Sequence, residues 1–343
     1  MNALFRSGWW VVAAAAAILL GTLAWLVRPG PSPLQGDGVD PTTYGFDLSC
    51  QLTPAGSIIG GGMARDGLHA LEDPPTIQGA DVAAFNEAER GKLLVSDDRV
   101  IGVHLNDEAR AYPLRLMRWH EVVNDTVGGE PIAVSYSGLC DASAVWRRDV
   151  GGAAAVFAVS GLVHDSNTIL YDRSTTQPSL WSQLTGKALA GPAACDRMAL
   201  EGVPAEVVRW ADWFTRHPDT LVMAPLPELK RLYKRDPYHS YFGSQLLHFP
   251  VDPQPAPGPP AAKDRVAVIQ HRGEHLVVPL TTEDAAAHLE MAGDPLTLHI
   301  SRNGTAARVE SVSSHGDRPV LRLAFWFAWY AQNPEDRPWR PAS

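Results

Sequence analysis

Familiar catalytic and nucleotide-binding signatures are missing from this chain. It has no glycine-rich phosphate loop, no dinucleotide fingerprint, no G-x-S-x-G elbow and no repeated Cys-x-x-Cys zinc pattern. Positive charge is also in short supply: 29 Lys and Arg face 38 Asp and Glu, a net charge of −9. Without an overall basic field, neither nucleic acid nor anionic lipid is an expected partner. Helical periodicity is confined to short segments, and 29 Gly and 28 Pro interrupt the 343 residues without any period. That excludes a helical bundle and suits a turn-rich β protein. Cysteine is scarce as well. Cys50, Cys140 and Cys195 are an odd number, so a chain that forms disulfides leaves one thiol over.

The one long apolar run is WWVVAAAAAILLGTLAWLV at residues 9–27, 19 residues without a charge. At about 1.5 Å per residue it spans most of a hydrocarbon core of about 30 Å. A cleaved signal peptide is the alternative, but signal cores run about 7 to 15 residues, and no small-x-small site closes this one. The run therefore reads as one uncleaved N-terminal transmembrane helix, residues 1–28 forming a membrane anchor. The expected location is the inner membrane, single-pass, with the long C-terminal part on the periplasmic side. Residues 29–92 read as a tether and N-terminal extension, beginning with the extended PGPSPLQGDGVDP.

Beyond the anchor the chain reads as β-rich α+β. VIGVHL at 100–105 and ARAYPL at 109–114 are two strands about an Asn106-Asp107 turn. Segments 131–136, 144–147 and 153–159 continue the β pattern, with Gly128-Gly129 and Gly151-Gly152 as turns. Helices are expected near 81–90, 205–216, 227–235 and 282–289. Residues 98–114 (DRVIGVHLNDEARAYPL) and 264–280 (DRVAVIQHRGEHLVVPL) align without a gap, and Trp213-Phe214 precedes Pro218 as Trp329-Tyr330 precedes Pro334. Two weakly duplicated antiparallel β units follow from this, with Pro113 equivalent to Pro279 and Asn106-Asp107 equivalent to Arg272-Gly273. The proline-rich 251–263 marks a linker or surface loop, and 264–343 is a second β repeat packed on the first. The same alignment puts His271 and His275 on a strand-turn-strand, where they do not converge on a metal as they would on a helix.

The chemistry concentrates in WHEVVND at 119–125 and VSYSGLCDA at 134–142. His120, Glu121, Asn124, Asp125, Cys140 and Asp141 lie on segments that a β-meander sets side by side. A thiolate needs a nearby cation or metal to form at neutral pH, and His120 supplies proton acceptance or co-ligation. Three readings follow. In the first, Cys140 and His120, with His164 or Met117, bind a transition metal, copper or zinc, since soft thiolate plus imidazole suits those ions. In the second, Cys140 is an enzyme's nucleophile, His120 its base, and Asn124 or Asp125 orients the base. In the third, the protein is a non-catalytic envelope interaction module, Cys140 is a core residue, and His120 and Asn124 satisfy backbone groups. Tyr238, His239 and Tyr241 form a polar aromatic cluster, and residues 230–235 hold four cations in six residues, which reads as a solvated face.

Several stretches, among them EARAYPLRLMRWHEVVNDTVGGEPIAVSYSGLC, VSGLVHDSNTILYDR, LWSQLTG and RDPYHSYF, resemble the bacterial and archaeal family known as domain of unknown function 3179. The resemblance runs over about 93–250, the main family domain, and FWFAWY near the C-terminus extends it. It implies fold and architecture further than mechanism. Family members commonly carry Cys-x-x-Cys where this chain has Ser137 and Cys140, so one of the two thiols that a dithiol couple or two-thiolate clamp needs is missing here. The family pattern has no cysteine at positions 50 and 195, which implies one disulfide between them and leaves Cys140 free.

Overall fold

Most of the longer strands are buried along nearly their whole length, and their successive side chains point to opposite faces, which builds a three-layered core. The structure is a computed structural model that describes residues 35–89, 92–173, 176–280, 285–301, 304–311 and 317–340. The expected membrane span at 9–27 and the first part of the tether lie outside the described residues. Among the described residues, no helix is long and apolar enough to cross a membrane. The remainder, from Gln35 on, forms one compact β-rich unit with short helices.

A seven-stranded sheet is the middle layer, in the order Glu274–Pro279, Arg265–His271, Val320–Phe325, Ala142–Arg147, Glu130–Ser137, Val122–Val127 and Leu71–Glu72. Odd and even side chains along it go to different cores. Ile132, Val134, Val145, Ala267 and Ile269 join one cluster with the eight-stranded sheet that carries Val100, Ile101 and Val207. On the opposite face, Ala133, Ala144 and Trp146 pack on a five-stranded sheet through Phe157, Leu170 and Trp181. Farther along the same face, Val266, Val268 and Ala324 meet the Trp326–Gln332 helix. Burial of both faces explains why these strands lack a polar side.

The two aligned segments form two hairpins of identical register. Val100 pairs with Pro113 and Val266 with Pro279; the turns Asn106-Asp107 and Arg272-Gly273 both take positive φ, as a two-residue hairpin of this twist requires. Each hairpin then receives an antiparallel strand, Ala205–Arg209 or Val320–Phe325, that runs directly into a seven-residue helix. The first amide of each helix meets the carbonyl before its hairpin, Trp210 to Asp98 and Trp326 to Asp264, both at 2.8 Å. Each helix buries an indole that donates seven residues ahead, Trp213 to Thr220 and Trp329 to Asp336. The chain then returns parallel to the hairpin, Val222 beside Ala111 and Pro338 beside Val277. Strands from both sides of residues 251–263 occur in each of the two large sheets.

Three helix expectations are corrected. Residues 205–209 are a strand, because Val207 and Val208 complete the sheet beside Arg99–Leu105; the helix is only Trp210–Arg216. The helix expected at 282–289 is instead a strand where it is described, Ala285–Met291. Its alanines favour a helix locally, but the Ala292-Gly293 turn folds all seven residues onto Asp294–Ile300. Residues 227–235 form two short 3-10 turns rather than one helix. The strand expected at 153–159 breaks into Ala153–Ala154 and Phe157–His164.

Candidate functional site

The helix Leu114–His120 ends because Glu121 adopts a left-handed conformation, φ 57°. Few non-glycine residues pay that strain unless their surroundings enforce it. The reversal turns the Glu121 carboxylate inward, between the seven-stranded and five-stranded sheets, where the residue is 4% exposed. Thr168 donates to its Oε2 at 2.9 Å and Tyr238 to its Oε1 at 3.1 Å. Burial pushes the carboxyl up to about 7, against the hydrogen bonds from Thr168, Tyr238 and the Gly138 amide.

Ser137, the last residue of its strand, lies 3.0 Å from the Thr168 hydroxyl. Because Thr168 gives its proton to Glu121, Ser137 donates to Thr168. Cys140 follows in the same turn, wholly buried, with the Asn167 amide donating to its sulfur at 3.0 Å and the Ser137 hydroxyl also in hydrogen-bond reach. Burial pushes the thiol up to about 12; Glu121 and Asp141 push the same way, and the Asn167 amide opposes them. Asn167 also donates to Gln183, which in turn donates to Ser135. The result is a continuous polar line, Glu121, Thr168, Ser137, Cys140, inside an otherwise apolar interior.

Asp141, the next residue, anchors this turn. Burial alone would raise its pKa, yet Arg99 at 3.0 Å, Arg265 at 2.5 Å and the Tyr136 hydroxyl hold its carboxyl well below the usual range. Arg99 and Arg265 are equivalent positions in the two hairpins, so one carboxylate ties both units together beside Cys140. A cover closes the site: Tyr238 lies over Gly138, where an added Cβ would sit 2.1 Å from the ring, and Tyr241 donates to the Leu139 carbonyl. Lys263 secures that segment by donating to the carbonyls of Tyr241 and Ser244.

The residues singled out in the sequence fare differently. Cys140 and Glu121 are brought together. His120 is buried one residue away but is engaged elsewhere: its Nδ1 donates to the His69 carbonyl at 2.7 Å, and Tyr233 donates to its Nε2 at 2.7 Å. Burial holds this imidazole below its ordinary pKa, and among the described residues no hydrogen bond joins it to Cys140. Asn124 is a staple between sheets, exchanging hydrogen bonds with both backbone groups of Phe157 and reaching the Leu71 carbonyl. Asp125 is bound by Arg110 and Tyr112. His164 contacts Asp165 and the Ser57 carbonyl, and Met117 lies in the core. Cys50 and Cys195 form a disulfide and Cys140 is free. Thr168, Asn167, Gln183 and the role of Tyr238 were not anticipated. The polar residues of the VHDSNT and LWSQLTG segments signalled the first three, and the polar aromatic cluster of Tyr238, His239 and Tyr241 the last.

The chain matches, over residues 72–323, the family described as protein of unknown function DUF3179. It belongs to that family. No curated protein and no solved structure matches it. Within this DUF3179 member, Ser137 and Cys140 stand at the two ends of one turn, with the serine hydroxyl against the sulfur, so the polar line runs through the position where a second thiol was expected.

Proposed function

We propose that this protein is a membrane-anchored, extracytoplasmic enzyme that uses Cys140 as nucleophile in acyl transfer, with Glu121 rather than His120 as proton acceptor. The observation that carries the reading is the hydrogen-bonded line from a buried carboxyl of pKa about 7 to the sulfur. A carboxyl tuned near neutrality takes and returns protons at working pH. As the sulfur attacks an acyl carbon, the thiol proton passes by way of Ser137 and Thr168 to Glu121. The leaving group departs with that proton, and a thioester remains. Water then cleaves the thioester, Glu121 again taking the proton, and the thiol is restored. The Tyr238 cover must move to admit substrate, which accounts for an unreactive thiol in the closed form. The Cys50–Cys195 disulfide supports an oxidising compartment, and the 9–27 run supports the anchor.

The metal reading fits the residues poorly. His120 has its one lone pair committed to Tyr233, and among the described residues no three His, Cys, Asp or Glu gather as a metal-holding group. The interaction-module reading stands second, favoured by the complete hydrogen bonding of His120 and Asn124 away from Cys140.

The test is the rate at which iodoacetamide labels Cys140 as a function of pH. The expected profile for the unaltered protein rises through about pH 7 with Glu121, and that step is absent in Glu121→Gln. Superimposable profiles would remove Glu121 from the chemistry and leave the interaction module. Retention of the full-length chain in membranes after an alkaline carbonate wash checks the anchor.

A further inference from the structure

The basic run KRLYKR at 230–235 does more than face solvent. It borders a cavity of about 180 Å³ whose floor is Phe85, Leu93, Leu116, Leu226, Pro227 and Tyr233. At roughly 30 Å³ per water, that space holds about six waters' volume of an apolar group. Lys92, Arg115, Lys230 and Lys234 stand around it, and Glu89 is the one acid among the described lining residues, already bound by Lys230. Arg115 is aimed by two carbonyls, those of Tyr233 and Lys92, and neither neutralises it. Among the described residues, Lys92, Arg115 and Lys234 have no carboxylate partner. Leu232, in the middle of the run, is 40% exposed. On a chain of net charge −9, a cationic ring around an apolar socket with a leucine beside it is a local reversal of the molecule's character.

We infer that this face is a site for an anionic phospholipid of the bilayer surface, with the phosphate on the rim cations and the upper part of one acyl chain in the socket. Neither a free phosphate nor a nucleic acid uses the apolar floor. A bilayer lipid uses both parts, and each Lys or Arg near an anionic surface strengthens attraction appreciably. Geometry of the chain favours the same partner. Seven residues, 28–34, separate the end of the apolar run from Gln35, a reach of about 25 Å when fully extended. This last point rests on the anchor reading; the charge and shape of the site do not, and nothing here depends on Cys140.

The experiment places the full-length chain in nanodiscs of phosphatidylcholine, doped with phosphatidylglycerol or with further phosphatidylcholine, the dopant carrying a photoactivatable group on its acyl chain. Crosslinks to peptides covering 85–93 and 225–234 are expected with the phosphatidylglycerol probe, and each of Lys92→Glu and Lys234→Glu should lower their yield about fivefold or more. Equal crosslinking from the phosphatidylcholine probe, or yields untouched by charge reversal, would overturn the proposal. Crosslinks that an acidic peptide abolishes while lipid charge has no effect would assign the face to a protein partner and overturn it too. If the chain does not enter the discs, the anchor reading fails separately. Flotation with phosphatidylglycerol but not phosphatidylcholine vesicles then still supports the site, and flotation with neither removes it.

Discussion

Glu121 carries a linkage that a pH series can read. Its folded pKa of about 7 lies above an ordinary value of 4.5, so the folded state holds the proton more tightly than the unfolded chain. Its contribution is therefore full below about pH 4.5 and is lost as pH rises through about 7, by at most roughly 3 kcal/mol. Denaturant midpoints of the unaltered protein should fall over that window relative to Glu121→Gln, whose curve should be flatter; parallel curves would show that the carboxyl is not buried uncharged. Asn124 gives a second residue-level expectation. Asn124→Ala strips both backbone groups of Phe157 of their partners, and a buried group left unsatisfied costs about 1 to 3 kcal/mol. Chemical denaturation should register that loss without any change in Cys140 labelling, because Asn124 acts between sheets and not in the polar line.

At the scale of elements, the Cys140 turn is held by Asp141 more than by its own strand. Asp141 takes a left-handed φ of 44° and receives Arg99, Arg265 and Tyr136 together. Asp141→Asn keeps the shape but leaves two guanidinium groups without their charge partner, and breaking such a buried pair costs about 3 to 5 kcal/mol. Because Arg99 begins one hairpin and Arg265 the other, the loss should appear in hydrogen exchange as faster opening of both hairpins at once. Opening confined to residues around Arg99 would mean that the two units are not coupled through this carboxylate. The WHEVVND segment makes a related point. Its helix stops at His120, and that stop, rather than the histidine itself, delivers the carboxylate to the site.

For the molecule as a whole, the N-terminal extension is fastened to the family domain by the Cys50–Cys195 disulfide, which spans 145 residues of sequence. Closing a loop of that length removes much of the unfolded chain's freedom, and loss of a native bridge costs about 2 to 5 kcal/mol. Cys50→Ser with Cys195→Ser should lower the thermal midpoint while Cys140 stays free and its labelling rate is unchanged; an unchanged midpoint would mean that strand pairing of Ile58–Gly60 on the Phe157–His164 strand suffices to hold the extension. The three layers also explain why the site is closed. A seven-stranded sheet covered on both faces leaves only its strand ends for chemistry, and here the 238–242 segment caps that end.

Much of this was legible in the residue order because the relevant forces are local. Hairpins about Asn106-Asp107 and Arg272-Gly273, their matching register, the cysteine pairing and the dominance of strands follow from turn conformations, side-chain alternation and the family resemblance. The chain of 205–216 misled because alanine, glutamate and arginine suit a helix, whereas the vacancy beside Arg99–Leu105 is a property of the sheet. The same holds at the site. Glu121, Thr168 and Ser137 are separated by up to 47 positions, and no spacing rule joins them. His120 has the more reactive side chain on paper, but a carbonyl and a phenol brought from distant segments occupy both of its nitrogens. Sequence alone determined which residues had chemistry to offer; burial between two sheets decided that the carboxylate, not the imidazole, faces the thiol, because desolvation and hydrogen-bond partners exist only once the layers are packed.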